Sequence, residues 1–497
     1  MPSFVRSFRW PRRWLLWIAA GLALRIIFIV FPRPVDDDTL DYLQLGHNLL
    51  HHGIYGLSSG GDIAPSLFRP PAYPIFLATF EQLFARSWPS SWFNAVFVVQ
   101  AGADVAGGVL VAVLARRHLS ARAGEIALAL AMLCPFAAAY SGIALAECLS
   151  VFAVSLGVYA AGRALGAEWN GGRDRWALIL SGLAAAFATL LRPDGVLLVF
   201  ALAFGIFFYT QRRSAVVYRR RTPLRSAVGA TSTFLLAALL PLVPWTLRNW
   251  EQFHVFQPLA PRYINDPGEQ ALTGVPRWLR TWSVEFVTTA NVVWKIPGAP
   301  IDLADLPPRV FDSPQQRAQT LALIADYNRN LSLTPAIDSR FAALAAERIR
   351  AHPFSYYIGL PILRVADMLL RPRTEAFYLD VFWWRWSEHP GETICAILLG
   401  LIDLFYVAAA AWAFVRGRVP WGWMLGTFLV LRFILLGTLQ NPEPRYTLEC
   451  FPILIIAAAA ALSGSQFRAP QAQPACRKSS SESVVRQSTT DCLSDAM

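Results

Sequence analysis

Charged residues are scarce in this chain. They make up 15% of its 497 residues, whereas hydrophobic residues make up 55%. An ordinary soluble domain carries about 25% charged residues, so the composition argues against a soluble protein. The chain also lacks a GxGxxG element, a P-loop and any CxxC pair among its six cysteines. We therefore expect no nucleotide-binding domain, no metal cluster and no disulfide framework, and assign no metal ligands.

The basic residues lie between apolar stretches. The formal net charge of +11 would suggest nucleic acid as a partner of a soluble protein. Here the arginines concentrate in short loops, such as 116–122 and 211–225. Cytoplasmic loops of membrane proteins carry such an excess. We therefore expect membrane lipids and no nucleic acid as partners.

Ten apolar segments approach the length of about 20 helical residues that crosses a bilayer. They are roughly 14–31, 92–115, 123–140, 148–166, 176–191, 193–210, 226–247, 392–415, 419–439 and 446–464. Backbone groups in lipid must bond within their own segment, which requires helices. The sequence predicts an all-α integral membrane protein, a polytopic bundle of about ten transmembrane helices. No small-residue cleavage site follows the first segment, so we interpret it as an uncleaved span.

The arginine-bearing loops all fall on one side of this ten-span arrangement, which predicts that both termini are cytoplasmic. Segments 72–86 and 354–371 then lie outside, where their amphipathic character suits the interface. Arg25, inside the first span, has no explanation at this level. We predict an N-terminal membrane module (1–247) with a first outer loop (32–91), an extracytoplasmic subdomain (248–391), C-terminal membrane helices (392–464) and a disordered cytoplasmic tail (465–497).

Four aspartates follow the first span closely: Asp36, Asp37, Asp38 and Asp41. Apolar residues then recur at helical spacing until Gly53, which predicts a helix that ends there. A carboxylate at the membrane boundary could remove a proton from an acceptor hydroxyl or hold a divalent cation. Alternatively, Asp38 caps the helix and Asp41 favours its first turn; the two roles are compatible.

Three histidines fall in the same helix. His47 and His51 are one turn apart, and His52 follows. No third ligand at metal spacing is apparent, so we interpret them as surface or helix-end histidines.

The string Asp38-Thr-Leu-Asp-Tyr42, an amphipathic helix, and then Arg69-Pro-Pro-Ala-Tyr73-Pro resembles the first outer loop of the GT-C membrane glycosyltransferases. That superfamily includes protein O-mannosyltransferases and the transferases that add aminoarabinose to lipid A. Its loop-one aspartate is the candidate catalytic base. The resemblance points to Asp38, with Asp37 as the alternative, and three consecutive aspartates leave the assignment among them open.

Weaker matches follow along residues 10–464: the stretch from Tyr140 to Glu147, Arg192-Pro, Pro-Trp-Thr-Leu-Arg248 and Pro-Arg445-Tyr446. Outer-side arginines run against the positive-inside trend, and guanidinium groups suit phosphate. Glu147, Arg192 and Arg445 could instead only anchor helix ends. The resemblance implies Asp38 or Asp37 as base with Glu147 assisting, donor-phosphate binding by Arg69, Arg192, Arg248 and Arg445, and substrate shaping by Tyr42, Tyr73 and Tyr446.

The function implied is transfer of a sugar, with inversion, from a polyprenyl-phosphate donor to a lipid, glycan or protein acceptor. It implies an active site on the periplasmic face of the bacterial cytoplasmic membrane; a divalent cation stays open. The alternative is a polytopic transporter or lipid flippase, which predicts charges near mid-span and inverted repeats. Most candidate charges cluster at one face, which favours the transferase.

Overall fold

The computed structural model describes residues 11–31, 37–87, 91–166, 171–216, 223–263 and 265–465. Asp36 and the tail from 466 onward, both subjects of the sequence predictions, lie outside these residues. Within them the chain is almost entirely helical. The first eleven helices are α1 (Arg12–Val30), α2 (Asp37–His52), α3 (Ala72–Phe80), α4 (Trp92–His118), α5 (Ala121–Leu133), α6 (Pro135–Tyr140), α7 (Glu147–Ala164), α8 (Gly171–Leu191), α9 (Val196–Val216), α10 (Pro223–Leu239) and α11 (Val243–Phe253).

Eight further helices complete the described chain. They are α12 (Gly274–Leu279), α13 (Phe286–Thr288), α14 (Pro314–Asn330), α15 (Pro335–Ala351), α16 (Leu360–Leu370), α17 (Pro390–Val415), α18 (Gly422–Gly437) and α19 (Phe451–Ser463). The largest hydrophobic core joins α1, α4–α10 and α17–α19. The membrane-type helices thus pack as one bundle.

Seven helical segments in the described ranges are long and apolar enough to cross a membrane. They are Arg12–Val30, Trp92–His118, Asp174–Leu191, Pro193–Ser214, Pro223–Phe253, Pro390–Val415 and Pro444–Ser463. The prediction of an all-α, multi-pass membrane protein is confirmed. The other three predicted spans correspond to α5 with α6, which break between Leu133 and Pro135, to α7, and to the 16-residue α18. The count of ten stays a prediction.

The first outer loop folds as a helix, a hairpin and a second helix. The helix α2 ends as expected at Gly53, whose φ is 70° and whose N–H donates to the carbonyl of Leu49 at 3.1 Å. Strands β1 (Gly56–Ser59) and β2 (Asp62–Pro65) then pair in antiparallel register. The helix α3 continues into a π-helical turn, Glu81–Ala85. The helix α3 and this turn are together too short to cross a bilayer.

The segment predicted to be extracytoplasmic, 248–391, has its own hydrophobic core, built around Trp278, Trp282, Tyr327 and Phe341; it is called the outer segment below. Arg364 connects this segment to the bundle, because its guanidinium donates to the carbonyl oxygens of Ser283 at 2.8 Å and Gly437 at 2.9 Å. The division of the chain into domains stays a prediction.

The position of Arg25 is explained by a partner on α4. Its Nε and Nη2 donate to one oxygen of Asp104 at 2.9 and 2.7 Å, and its Nη1 donates to the carbonyl oxygens of Gly21 and Met132 at 2.9 and 2.5 Å. Arg25 is 0% exposed. A charge within a span is expensive unless it is paired, and this one is fully engaged inside the bundle.

Candidate active site

Asp38 lies between two arginines from distant parts of the chain. One carboxylate oxygen accepts from Nη2 of Arg69, which follows the hairpin, and the other accepts from Nη2 of Arg445 at 2.8 Å. Asp38 is the second residue of α2, so it is inside the first turn rather than at the cap position we allowed for. Its side chain forms ion pairs with Arg69 and Arg445 and does not cap the start of α2.

Arg69 is positioned by both charge and aromatic packing. Its Nη2 also contacts Asp41 at 2.9 Å, and its guanidinium lies 5.3 Å from the ring centre of Tyr42 and 5.2 Å from that of Phe68. The buried Nε has no hydrogen-bond partner among the described residues. Arg69 therefore has one N–H group beside Asp38 that no described residue accepts from.

Glu147 begins α7 and contacts two of the predicted arginines. Its Oε1 accepts from Nη1 of Arg192 at 2.8 Å and lies 4.0 Å from Nε of Arg445. Only 4% of its side chain is exposed. Arg192 in turn lies 3.4 Å from Asp194 and 3.3 Å from Glu449. Glu147 thus connects the Asp38 end of the network to a deeper end.

The network contains six carboxylates and four guanidiniums in the described chain. They are Asp38, Asp41, Glu147, Asp194, Glu443 and Glu449 with Arg69, Arg192, Arg432 and Arg445. Exposure of the side chains falls from 34% at Asp41 and 25% at Asp38 to 3% at Glu449 and 1% at Arg432. Solvent reaches the network at the Asp38 end, so a substrate would meet Asp38 first.

The charge of Asp38 is set by these partners. Burial raises the pKa of its carboxyl, but the guanidiniums of Arg445 and Arg69 outweigh burial and bring the pKa down from 3.8 to about 2. Asp38 is therefore ionised at neutral pH. While both arginines stay in place, it is also a weak base.

A divalent cation does not fit at Asp38 as the residues stand. Both of its oxygens already accept from guanidinium groups, and a metal there would lie beside Arg69 and Arg445, two fixed positive charges. Ca²⁺ and Mg²⁺ need several free oxygen ligands, and two adjacent guanidinium charges would repel either ion.

Arg248 has a different environment from the other three predicted arginines. It donates to the carbonyl oxygens of Ser66 at 2.8 Å and Tyr55 at 2.6 Å, and its guanidinium packs on the rings of Tyr55 and Trp245. Within the described residues it makes no salt bridge with a carboxylate of the network. Its contacts hold the hairpin loop against α11.

Two of the three predicted tyrosines, Tyr42 and Tyr446, pack against arginines, and Tyr73 packs against Tyr42. Tyr42 and Tyr73 meet edge to face with ring centres 5.0 Å apart, and the hydroxyl of Tyr73 donates to Gln100 at 2.7 Å. Burial raises the pKa of Tyr42 to about 12, so it stays neutral. The ring of Tyr446 lies 5.2 Å from the guanidinium carbon of Arg192 and 5.4 Å from that of Arg445. Tyr73 is 0% exposed, so it supports the site through its contacts with Tyr42 and Gln100.

Sequence reasoning missed the deeper half of the network. Asp194 and Glu443 lie within two residues of predicted arginines, and Glu449 lies one helical turn beyond Arg445, so their proximity was a usable signal. Arg432 lies inside an apolar helix, α18, where an ionisable residue is itself a functional hint. Asp37, the alternative base, is exposed and takes no part in the ion pairs of the described chain.

Comparison with known proteins gives a partial family match and a fold. The dolichyl-phosphate-mannose-protein mannosyltransferase family matches residues 68–245, less than half of the chain. No curated protein matches the chain in sequence.

Three solved structures are similar to this chain. The archaeal oligosaccharyltransferase AglB from Archaeoglobus fulgidus, in complex with an inhibitory peptide and a dolichol-phosphate, aligns with a TM-score of 0.50 at 14% identity over 91% of this chain and 50% of its own. The apo form of the Archaeoglobus fulgidus oligosaccharyltransferase aligns with a TM-score of 0.50 at 14% identity over 93% and 51%. ArnT from Cupriavidus metallidurans, bound to undecaprenyl phosphate, aligns with a TM-score of 0.38 at 14% identity over 90% and 77%.

The family match over residues 68–245 and the shared fold agree with the resemblance found in the sequence, and the chain is a multi-pass membrane protein with the fold of the Archaeoglobus fulgidus oligosaccharyltransferase. It spans about half the length of the oligosaccharyltransferases that it matches. The activity of this particular chain, its substrates and its site residues are therefore matters for proposal.

Proposed function

We propose that this chain transfers a sugar from a polyprenyl-phosphate donor to a lipid, glycan or protein acceptor. The observation that carries the proposal is Asp38, held between Arg69 and Arg445 at the exposed end of a buried ion-pair network. A carboxylate supplies a base for an acceptor hydroxyl, and guanidinium groups recognise phosphate through paired hydrogen bonds. The match to a mannosyltransferase family supports the same reading.

The donor phosphate would compete with Asp38 for its two arginines. When phosphate oxygens take over the N–H groups of Arg69 and Arg445, Asp38 loses the contacts that keep its pKa at about 2. The pKa then rises, because burial alone favours the neutral form. Donor binding would thereby convert a weak base into a competent one at the moment when the sugar is in place.

The chemical step is a direct displacement at the sugar carbon that carries the phosphate. The acceptor oxygen forms a bond to this carbon while its proton passes to Asp38. The bond from the carbon to the phosphate oxygen breaks, and the polyprenyl phosphate leaves with the electron pair. Arg69 and Arg445 stabilise the charge that develops on it, and the configuration at the carbon inverts. Glu147, paired with Arg192, acts by positioning.

We infer that the site faces the periplasm of a bacterial cytoplasmic membrane, with both termini cytoplasmic. Support comes from the arginine-rich loops, which share one side in the ten-span arrangement. The transporter alternative predicted charges near mid-span, and Arg25 with Asp104 is such a pair. Arg25 is 0% and Asp104 6% exposed, so this pair supports packing rather than a water-filled pathway.

The test uses membranes that contain the wild-type chain, a panel of polyprenyl-phosphate sugars and candidate acceptors. Asp38→Asn should lower transfer by roughly 10²–10⁴-fold, the usual contribution of a general base. Asp37→Asn is the matched control, since Asp37 is adjacent, exposed and outside the network, and it should transfer at the wild-type rate. Full transfer by a folded Asp37→Asn/Asp38→Asn double variant would falsify the assignment of the base.

A further inference from the structure

The C-terminal end of α2 and the π-helical turn after α3 bring three possible metal ligands together. The Oε1 atom of Glu81 lies 2.7 Å from Nδ1 of His47 and 3.2 Å from Nε2 of His51. The possible ligand atoms all lie within 4.8 Å of one another. The histidines are one helical turn apart, as the sequence indicated. The third group comes from the turn after α3, 30 residues beyond His51 in sequence, where no spacing rule would find it.

The local structure aims these side chains at one point. His47 and His51 lie on the same face of α2, with ring centres 4.3 Å apart, because positions four apart stack along a helix. Glu81 is the first residue of the π-helical turn Glu81–Ala85. Such turns change the direction of side chains and occur frequently at functional sites.

The chemistry of the three donors matches one class of cation. Two imidazoles and one carboxylate suit Zn²⁺, which also occurs with two histidines, one glutamate and a water in its fourth position. Zinc bonds of about 2.0–2.1 Å place tetrahedral ligands roughly 3.3 Å apart. Nε2 of His51 is already 3.2 Å from Oε1, whereas Nδ1 of His47, at 2.7 Å, would move outward by about 0.6 Å to admit the ion. The histidine side chains are 53% and 47% exposed, which leaves room for water at the fourth position.

We propose that His47, His51 and Glu81 form a binding site for a zinc-class divalent cation that joins α2 to the segment following α3. The site is at the opposite end of α2 from Asp38, so the cation would not take part in the transfer step. It would fix the end of the helix that carries Asp38. The proposal does not depend on the proposed transferase activity.

The first test measures Zn²⁺ binding to the chelator-treated, full-length protein in detergent, by competition with a chromophoric chelator. We expect one Zn²⁺ per chain at this site. His47→Gln, His51→Gln and Glu81→Gln should each weaken binding at least tenfold. His52→Gln is the matched control, because His52 is on the same helix end but outside the cluster, and it should bind as the wild type does. Wild-type affinity in all three ligand variants would overturn the proposal.

A second measurement needs no variant. X-ray absorption at the zinc edge of the loaded wild-type protein should show imidazole nitrogens and oxygen in the first coordination shell, and Co²⁺ should give the visible bands of a four- or five-coordinate site. A shell that contains sulfur would place the metal at cysteines elsewhere. That result, an all-oxygen shell, or a wild-type protein that binds no Zn²⁺ would each refute the site.

Discussion

The carboxylate of Asp38 accepts a hydrogen bond from Nη2 of Arg445 at 2.8 Å, although 407 residues separate the two. This contact joins the beginning of the first outer loop to the turn before the last helix. Arg69 and Glu147 lie in the same network. Contributions from distant segments of the chain therefore meet at one site, as a transfer site for a lipid-linked donor requires.

The pH dependence of transfer should report the pairing of Asp38 with Arg445. In the wild type the pKa of Asp38 is about 2, so the free protein keeps its base ionised far into the acid range. Arg445→Gln removes the stronger of the two guanidinium effects, and the pKa should rise toward the usual aspartate range. The acid limb of the plot of kcat/KM against pH should move to higher pH by about one pH unit or more, while the maximum rate falls.

The control for this pH shift is Arg432→Gln. Arg432 belongs to the deep end of the network and contacts Glu449 and Asp194 rather than Asp38. It can lower stability or rate, but it should leave the acid limb where the wild type has it. An unchanged acid limb in Arg445→Gln would mean that Asp38 is not the group that titrates in the reaction.

Arg248 should act on the loop rather than on the donor phosphate. Arg248→Gln loses its hydrogen bonds to the carbonyl oxygens of Ser66 and Tyr55, each worth about 1.5–3 kcal/mol for a charged donor. We expect faster proteolysis within 53–71 and reduced transfer. Glu251→Gln, a change at an exposed polar position of the same helix, is the control. Lower donor affinity with an unchanged proteolysis pattern would instead support the phosphate role inferred from the sequence.

The sequence predicted the parts of the molecule whose signals are local. Apolar runs predicted the membrane helices, and the aspartates with Arg69, Glu147, Arg192 and Arg445 were found through short motifs. The sequence could not show which residues share a network, because the contact of Asp38 with Arg445 depends on the packing of the whole bundle. The sequence analysis also missed Asp104 as the partner of Arg25, because this contact too depends on how the helices pack. A third ligand for His47 and His51 was missed since Glu81 belongs to another element.

The pair formed by Arg25 and Asp104 should stabilise the bundle only as a pair. Their side chains are 1% and 6% exposed, so Arg25→Met or Asp104→Leu alone leaves an unpaired buried charge at a cost of about 3–5 kcal/mol. The double variant Arg25→Met/Asp104→Leu should recover part of this loss, because it leaves no unpaired charge. Recovery should be incomplete, because the carbonyl of Met132 still loses its donor. Unfolding by titration with SDS measures the effect. Equal losses in single and double variants would contradict a coupled pair.

The stability of the outer segment should depend on pH through Asp367. Burial raises the pKa of its carboxyl from 3.8 to about 6, although Arg371 lowers it. The folded protein then binds a proton more tightly than the unfolded chain, so stability is greatest below about pH 4 and falls as the pH rises to 6. The ionised carboxylate thus lowers the free energy of unfolding by about 3 kcal/mol at neutral pH. Solvent screens little of this effect, because only 17% of the side chain is exposed.

Asp367→Asn removes this cost and should therefore raise the free energy of unfolding at pH 7.5, with the gain disappearing as the pH approaches 4. The amide oxygen can still accept from the N–H of Phe286, which the carboxylate does at 3.3 Å. Asp326→Asn, in α14 of the same segment, is the control. Asp326 is paired at the surface with Arg329 and Arg340, and surface ion pairs contribute little to stability. Melting curves of both variants and the wild type at pH 4.5, 6 and 7.5 decide the matter. A gain for Asp367→Asn that is constant across this range would show that the carboxyl titrates at its ordinary value and that the effect comes from packing.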